Sequence, residues 1–213
     1  MVVRTSPGAG ECLFLIWYEV NLKYYSLIFN PAGRHYQELK TCLASSFEDI
    51  FFDEDAICME HNSRDFERRV RIVNENAEAV CDFLHSRSIA AGVPSSVIKE
   101  ILYPKWIARD NYERCRVKDG GFGGLFSITF TTIAASTTFF DNLSCYKGGT
   151  FGTNFTLACP YTIIAHYAEL EWVAEYGLEE NLVRMNVGME EKVDILHCIE
   201  VALKAAQATA TSM

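Results

Sequence analysis

The sequence predicts an α/β fold, and three observations carry that prediction. Apolar, glycine-punctuated strand patterns near 124–131 and 182–188 alternate with helical patterns near 132–142 and 164–176. A long stretch from Asn62 to Leu84 repeats apolar residues every three or four positions, through Phe66, Val70, Val73, Ala77, Val80 and Leu84. That spacing describes a helix burying one stripe. The 213 residues are 49% hydrophobic and 22% charged, enough apolar material for one domain with a sizeable core or for two small ones.

Taken in order, the apolar region 12–29 reads as strand. Its segment Cys12 to Tyr18 is too short to span a bilayer. Arg4 is the one basic residue before it, and Glu19 and Asn21 interrupt any leader cleavage site. Asn30-Pro31-Ala32-Gly33 predicts a turn, and Arg34 to Phe47 a helix. Ser45 and Glu48 have the spacing of a capping box for a second helix running to Met59. Asn62 or Ser63 then caps the long helix. Gly92-Val93-Pro94 marks a break, and Val97 to Tyr103 a strand that Pro104 ends. A final helix carries Val193, Leu196, Ile199 and Leu203 on one face, leaving residues 209–213 as a frayed tail. The domain boundary is placed at about residue 62, which gives 1–62 and 63–213.

Charge and cysteine usage exclude several functions. A net charge of −9 argues against nucleic acid and anionic membrane surfaces, which need clustered Lys and Arg. The one basic cluster, Arg64, Arg68, Arg69 and Arg71, is interleaved with Asp65, Glu67, Glu75 and Glu78, so it reads as a solvated helix face. The eight cysteines form no C-x-x-C pair and have no His at ligand spacing, so no zinc site is expected. The reducing cytosol is the simplest compartment for such a chain.

The residue with most chemistry is Arg184. It lies inside the alternating apolar run Leu182, Val183, Met185, Val187, which Gly188 breaks before Glu190 and Glu191 open a helix. A guanidinium on a buried strand needs an anion, and its planar fork fits a carboxylate in bidentate geometry. Two partners satisfy that need: an internal Asp or Glu, or the carboxylate of a ligand.

Three further segments bear on the choice: Asn74 to Val80 (NENAEAV), Gly120 to Phe130 (GGFGGLFSITF) and Lys147 to Pro160 (KGGTFGTNFTLACP). In this order, with LVRMNVGME after them, they resemble the C-terminal domain of the cystathionine γ-synthase family, the Cys/Met-metabolism enzymes that use pyridoxal phosphate (PLP). The family's patterns read N-A-x-x-V-A, G-F-G-G-x-x-S-F, S-L-G-G-x-x-(S/T)-L and L-x-R-x-S-V-G-x-E. The resemblance implies that Arg184 grips the substrate carboxylate. Thr150 stands where the family has the Ser that assists it, and Asn186 replaces the Ser after the Arg. Lys23-Tyr24-Tyr25-Ser26 looks like the family's T-K-Y-x-S around the lysine that forms the Schiff base. Asn21 and Leu22 stand in place of the expected hydroxyl residues, so Lys23 is either a displaced Schiff-base lysine or an ordinary edge-strand lysine.

The resemblance makes the fold expectation specific. Residues 1–62 are a truncated remnant of the large cofactor-binding domain of a PLP-dependent transferase. Residues 63–213 are the connecting helix and the small α/β domain, with a mostly antiparallel sheet packed on helices. It implies a cytoplasmic PLP-dependent transferase or lyase of transsulfuration and methionine biosynthesis, acting on an activated homoserine and cysteine. Its implied partners are a small amino-acid substrate and further copies of itself in a tetramer. The other reading is a catalytically inactive fragment or degenerate paralogue, acting at most as an interaction module. In either case most of the cofactor's ligands are expected to lie outside this chain.

Overall fold

The computed structural model describes residues 2–4, 12–19, 22–29, 34–46 and 52–211, with side chains described for 34–46 and 52–210. The chain divides into two compact units, 1–66 and 67–213. The turn expected at Asn30 to Gly33 and the side chain of Lys23 lie outside the described residues.

In the first unit, strands β1 (Val2–Arg4), β2 (Cys12–Glu19) and β3 (Leu22–Phe29) form an antiparallel sheet in that order. The apolar region 12–29 is therefore two strands, with Lys23 of β3 opposite Tyr18 of β2. Helices α1 (Tyr36–Ser46) and α2 (Asp53–Ser63) follow. Ser45 belongs to the last turn of α1 rather than to the start of the second helix, and Glu48 of the expected capping box lies outside the described residues. The Ser45 hydroxyl donates back to the Cys42 carbonyl at 2.8 Å. Phe52 begins α2 without a side-chain cap, and Asp53, Glu54 and Asp55 face the positive end of the helix dipole. Because α2 runs on to Ser63, neither Asn62 nor Ser63 caps the long helix.

The second unit is a one-sided sheet on helices. Its elements are α3 (Phe66–His85), β4 (Ile98–Leu102), α4 (Arg109–Glu113), β5 (Leu125–Phe130), α5 (Ile133–Asn142), β6 (Tyr146–Lys147), β7 (Leu157–Cys159), α6 (Tyr161–His166), α7 (Leu170–Ala174), β8 (Leu182–Asn186) and α8 (Lys192–Thr211). The strand order is β4-β5-β8-β7-β6, antiparallel throughout except for the β6–β7 pair. The alternation of each strand divides its residues between two faces. One face, with Phe126, Ile128 and Phe130 of β5 and Val183 and Met185 of β8, packs on α3, α5 and α8 and forms the core. The other carries Ser127, Thr129, Cys159, Arg184 and Asn186. The candidate residues Arg184 and Asn186 therefore share the face turned away from the helical core, on which Ser127, Thr129, Cys159 and Asn186 are themselves buried.

Three helices depart from the sequence reading. Phe66 and Val70 of α3 are exposed, and burial begins farther along, at Asn76, Ala77, Val80, Cys81 and Leu84. The helix expected at 164–176 is α6, a 3₁₀ turn at Tyr167–Glu169 and α7, because the backbone of His166 and Glu169 leaves the helical region. In α8 the buried stripe is Ile195, Ile199, Ala202, Leu203 and Ala206, whereas Val193 is exposed. The helix also runs through Thr211, so residues 209–211 of the expected frayed tail are ordered helix.

Candidate functional site

Arg184 is on the central strand of the five-stranded sheet, opposite Ser127 on one side and Cys159 on the other. No carboxylate among the described residues pairs with it. Its guanidinium carbon instead lies 3.8 Å from the centre of the Tyr161 ring and 4.9 Å from that of Phe151. Its Nε–H is sealed from solvent without an acceptor, while the residue as a whole is half-buried. Buried donors are nearly always paired, so an unpartnered charged one calls for an explanation. Burial pushes the neighbouring Cys159 thiol up, with the Arg184 charge opposing.

The loop 148–156 brings Thr150 and Phe151 to this face. Thr150 is half-buried, and its hydroxyl makes no hydrogen bond among the described residues. Gly152 has φ of +95°, a left-handed conformation that favours glycine. Four fastenings fix the loop. The Asn186 carboxamide oxygen accepts from Gly152 N–H at 3.0 Å, and its nitrogen donates to the Thr153 carbonyl at 3.2 Å and hydroxyl at 3.1 Å. Asn154 accepts at its carbonyl from Met189 N–H at 2.8 Å, and at its side chain from Arg69 at 3.2 Å. At the far end, Glu190 accepts from the Thr156 N–H at 2.6 Å and from its hydroxyl at 2.9 Å.

Asn186 thus stands on the face of Arg184, two residues along the strand, but its amide is engaged by the loop. Gly188 permits the close approach behind it: a Cβ there would come within 2.4 Å of the Phe155 Cα. Helix α3 completes the frame. Asn76 is buried and donates to the carbonyls of Gly188 at 3.1 Å and Glu190 at 2.9 Å. Asn74 accepts from Gly123 N–H at 2.9 Å. Sequence reasoning matched Asn76, Thr156 and Glu190 as motif letters only. It missed Tyr161, Phe151 and Arg69 as parts of this face, because contacts between loop, helix and strand leave no spacing signal.

A cavity of about 390 Å³ adjoins the far end of this loop, lined by Thr156 and Glu190 together with Cys145, Met185, Ile195 and Cys198 among others. Arg184 is not part of it, and Met185 projects to the opposite side of the strand. The geometry that matters for an anion is therefore the half-open face around Arg184 rather than this cavity.

The donor set of that face fits a carboxylate and does not fit PLP itself. No carboxylate among the described residues forms an ion pair with Arg184, and its ring contacts are Phe151 and Tyr161. Lys105 is held by Asp82 at 2.7 Å and Glu78 at 2.8 Å, and Lys99 pairs with Glu179. Burial acts to lower the Lys105 amine, but the bonds to Asp82 and Glu78 outweigh it and raise it. The Glu179 bond likewise raises Lys99. A nucleophilic amine needs the opposite shift. Lys147 donates to the Leu143 carbonyl at 3.0 Å, and Lys204 pairs with Glu200 at 2.7 Å.

Comparison with known proteins places this chain in a family. Residues 54–204 match the model of the Cys/Met metabolism PLP-dependent enzymes. A cystathionine γ-synthase-like enzyme of Amanita muscaria is 54% identical over 195 residues, covering 85% of this chain and 31% of the relative. The cystathionine γ-synthase of Neurospora crassa is 40% identical over 204 residues, covering 95% of this chain and 30% of the relative. The chain thus spans about a third of the length of the curated relatives it matches. Among solved structures, the cystathionine γ-synthase of Xanthomonas oryzae, crystallised with cystathionine, aligns with a TM-score of 0.58. It is 25% identical over 68% of this chain and 36% of that one. The family match over 54–204 and these relatives show that the chain belongs to the Cys/Met-metabolism family of PLP-dependent enzymes.

Proposed function

We propose that the second unit forms the substrate-carboxylate side of a cytoplasmic PLP-dependent enzyme of transsulfuration, joining an activated homoserine to cysteine as a cystathionine γ-synthase does. The observation that carries this reading is the state of Arg184: a half-buried side chain with a sealed Nε–H that finds no acceptor, and no carboxylate paired with it, among the described residues. Arg184 binds the amino-acid carboxylate, and the unengaged Thr150 hydroxyl adds a donor beside it. Asn186 acts one step removed, by fixing the loop. The cofactor is held by groups other than those described here, so the chain alone is catalytically inactive.

The test is kinetic. This segment is joined in frame to the cofactor-domain portion of the Neurospora crassa relative, and cystathionine formation is compared with and without Arg184→Ala. Losing a buried charged partner costs about 2–5 kcal/mol, or roughly 30-fold to several thousand-fold. It is expected mainly as a raised KM with kcat little changed. An unaltered KM would overturn the assignment.

A further inference from the structure

The two rings beside Arg184 are arranged as a corner. The centres of Phe151 and Tyr161 are 6.3 Å apart, with their planes inclined at 57°. With the guanidinium carbon 3.8 Å from one centre and 4.9 Å from the other, the cation sits at the inner vertex. Each wall comes from a separately fastened element. Phe151 precedes Gly152, which the Asn186 side chain holds. Tyr161 begins α6, whose buried Thr162 donates to the Glu179 carbonyl at 2.8 Å. His166 meets the Tyr161 ring edge to face at 5.7 Å and bonds Glu169 at 2.6 Å.

We infer that Tyr161 and Phe151 are positioning residues for the substrate carboxylate, acting through Arg184; this rests on Arg184 being the carboxylate anchor. Arginine is weakly hydrated and stacks on aromatic faces, so the rings remove water from it without replacing it by a competing anion. Four rotatable bonds would otherwise let the fork swing, and freezing them at the moment of binding costs affinity. The corner freezes them beforehand. It also leaves Nε–H without an acceptor, whereas an internal Asp or Glu would have satisfied it. With Nε–H itself sealed, an anion entering beside the rings meets the accessible remainder of the half-buried side chain, and the planar α-carboxylate of an amino acid has a suitable form.

The experiment uses the whole 213-residue chain, labelled with ¹⁵N-arginine, and L-methionine as the carboxylate probe. The Arg184 Nε–H resonance is expected to be displaced by ring currents and slow to exchange, and to move further as methionine is added. Tyr161→Leu, which keeps apolar bulk without a ring, is expected to abolish the displacement, speed exchange and weaken methionine binding about tenfold. Tyr161→Phe is expected to restore all three. Unchanged exchange and affinity in Tyr161→Leu would overturn the positioning role, while Arg184→Ala losing methionine binding would leave the anchor standing. A wild-type resonance that ignores methionine would overturn the anchor itself. Should Tyr161→Leu fold poorly, Phe151→Leu removes the other wall and is read the same way.

Discussion

Glu190 and Thr156 are joined twice, carboxylate to backbone amide at 2.6 Å and carboxylate to hydroxyl at 2.9 Å. The same hydroxyl accepts from the buried Gly188 N–H at 3.0 Å. One threonine therefore closes the loop that carries Thr150 and Phe151 onto the turn between β8 and α8. The carboxylate end of this link comes from the residue that ends the LVRMNVGME run.

Removing that hydroxyl leaves the Gly188 N–H buried and unpaired, and Glu190 short of a donor. Thr156→Val is expected to destabilise the second unit by about 1–3 kcal/mol, and Thr156→Ser to lose much less. Urea unfolding of both variants measures it. Equal stability of Thr156→Val and wild type would show that the link is not structural.

Alkaline pH tests a different part of the molecule. Burial pushes the Cys145 thiol from its ordinary 9.0 up to about 11, with Lys147 opposing. Above about pH 9 the unfolded chain releases this proton while the native chain keeps it, so the native state binds more protons and stability falls as pH rises. The contribution is complete below about 9 and gone once pH passes about 11. Stability measured across this window is expected to fall less steeply in Cys145→Ala than in wild type. Parallel profiles would contradict the assignment.

PLP itself gives a third outcome. Lys99, Lys105 and Lys204 are held by carboxylates, which leaves these three amines unprepared as Schiff-base nucleophiles. Incubation of the chain with PLP followed by borohydride is expected to give scattered, substoichiometric labelling. Stoichiometric labelling of Lys23 alone would contradict this and make that residue the Schiff-base lysine.

The sequence made the α/β class and the main strands of the second sheet legible, because β4, β5 and β8 are long enough to show apolar alternation. β6 and β7 have two and three residues, too few for any period to register. The split of the 164–176 helix was equally hidden, since it depends on the backbone of two residues and not on apolar spacing. At the candidate site, Arg184 announced itself as a charge within a buried strand. Its aromatic surroundings did not, for Tyr161 and Phe151 reach it only through the fold. Asn186 carried the opposite lesson: a polar residue beside the Arg in sequence turned out to face the loop as its latch.

A crystal structure of this chain grown with L-methionine tests the carboxylate anchor most directly. The expected density places the ligand carboxylate about 3 Å from the Arg184 guanidinium, beside Thr150, with the Tyr161 and Phe151 rings unmoved. Arg184 turned instead to an internal Asp or Glu, with the ligand bound away from this face, would contradict the account.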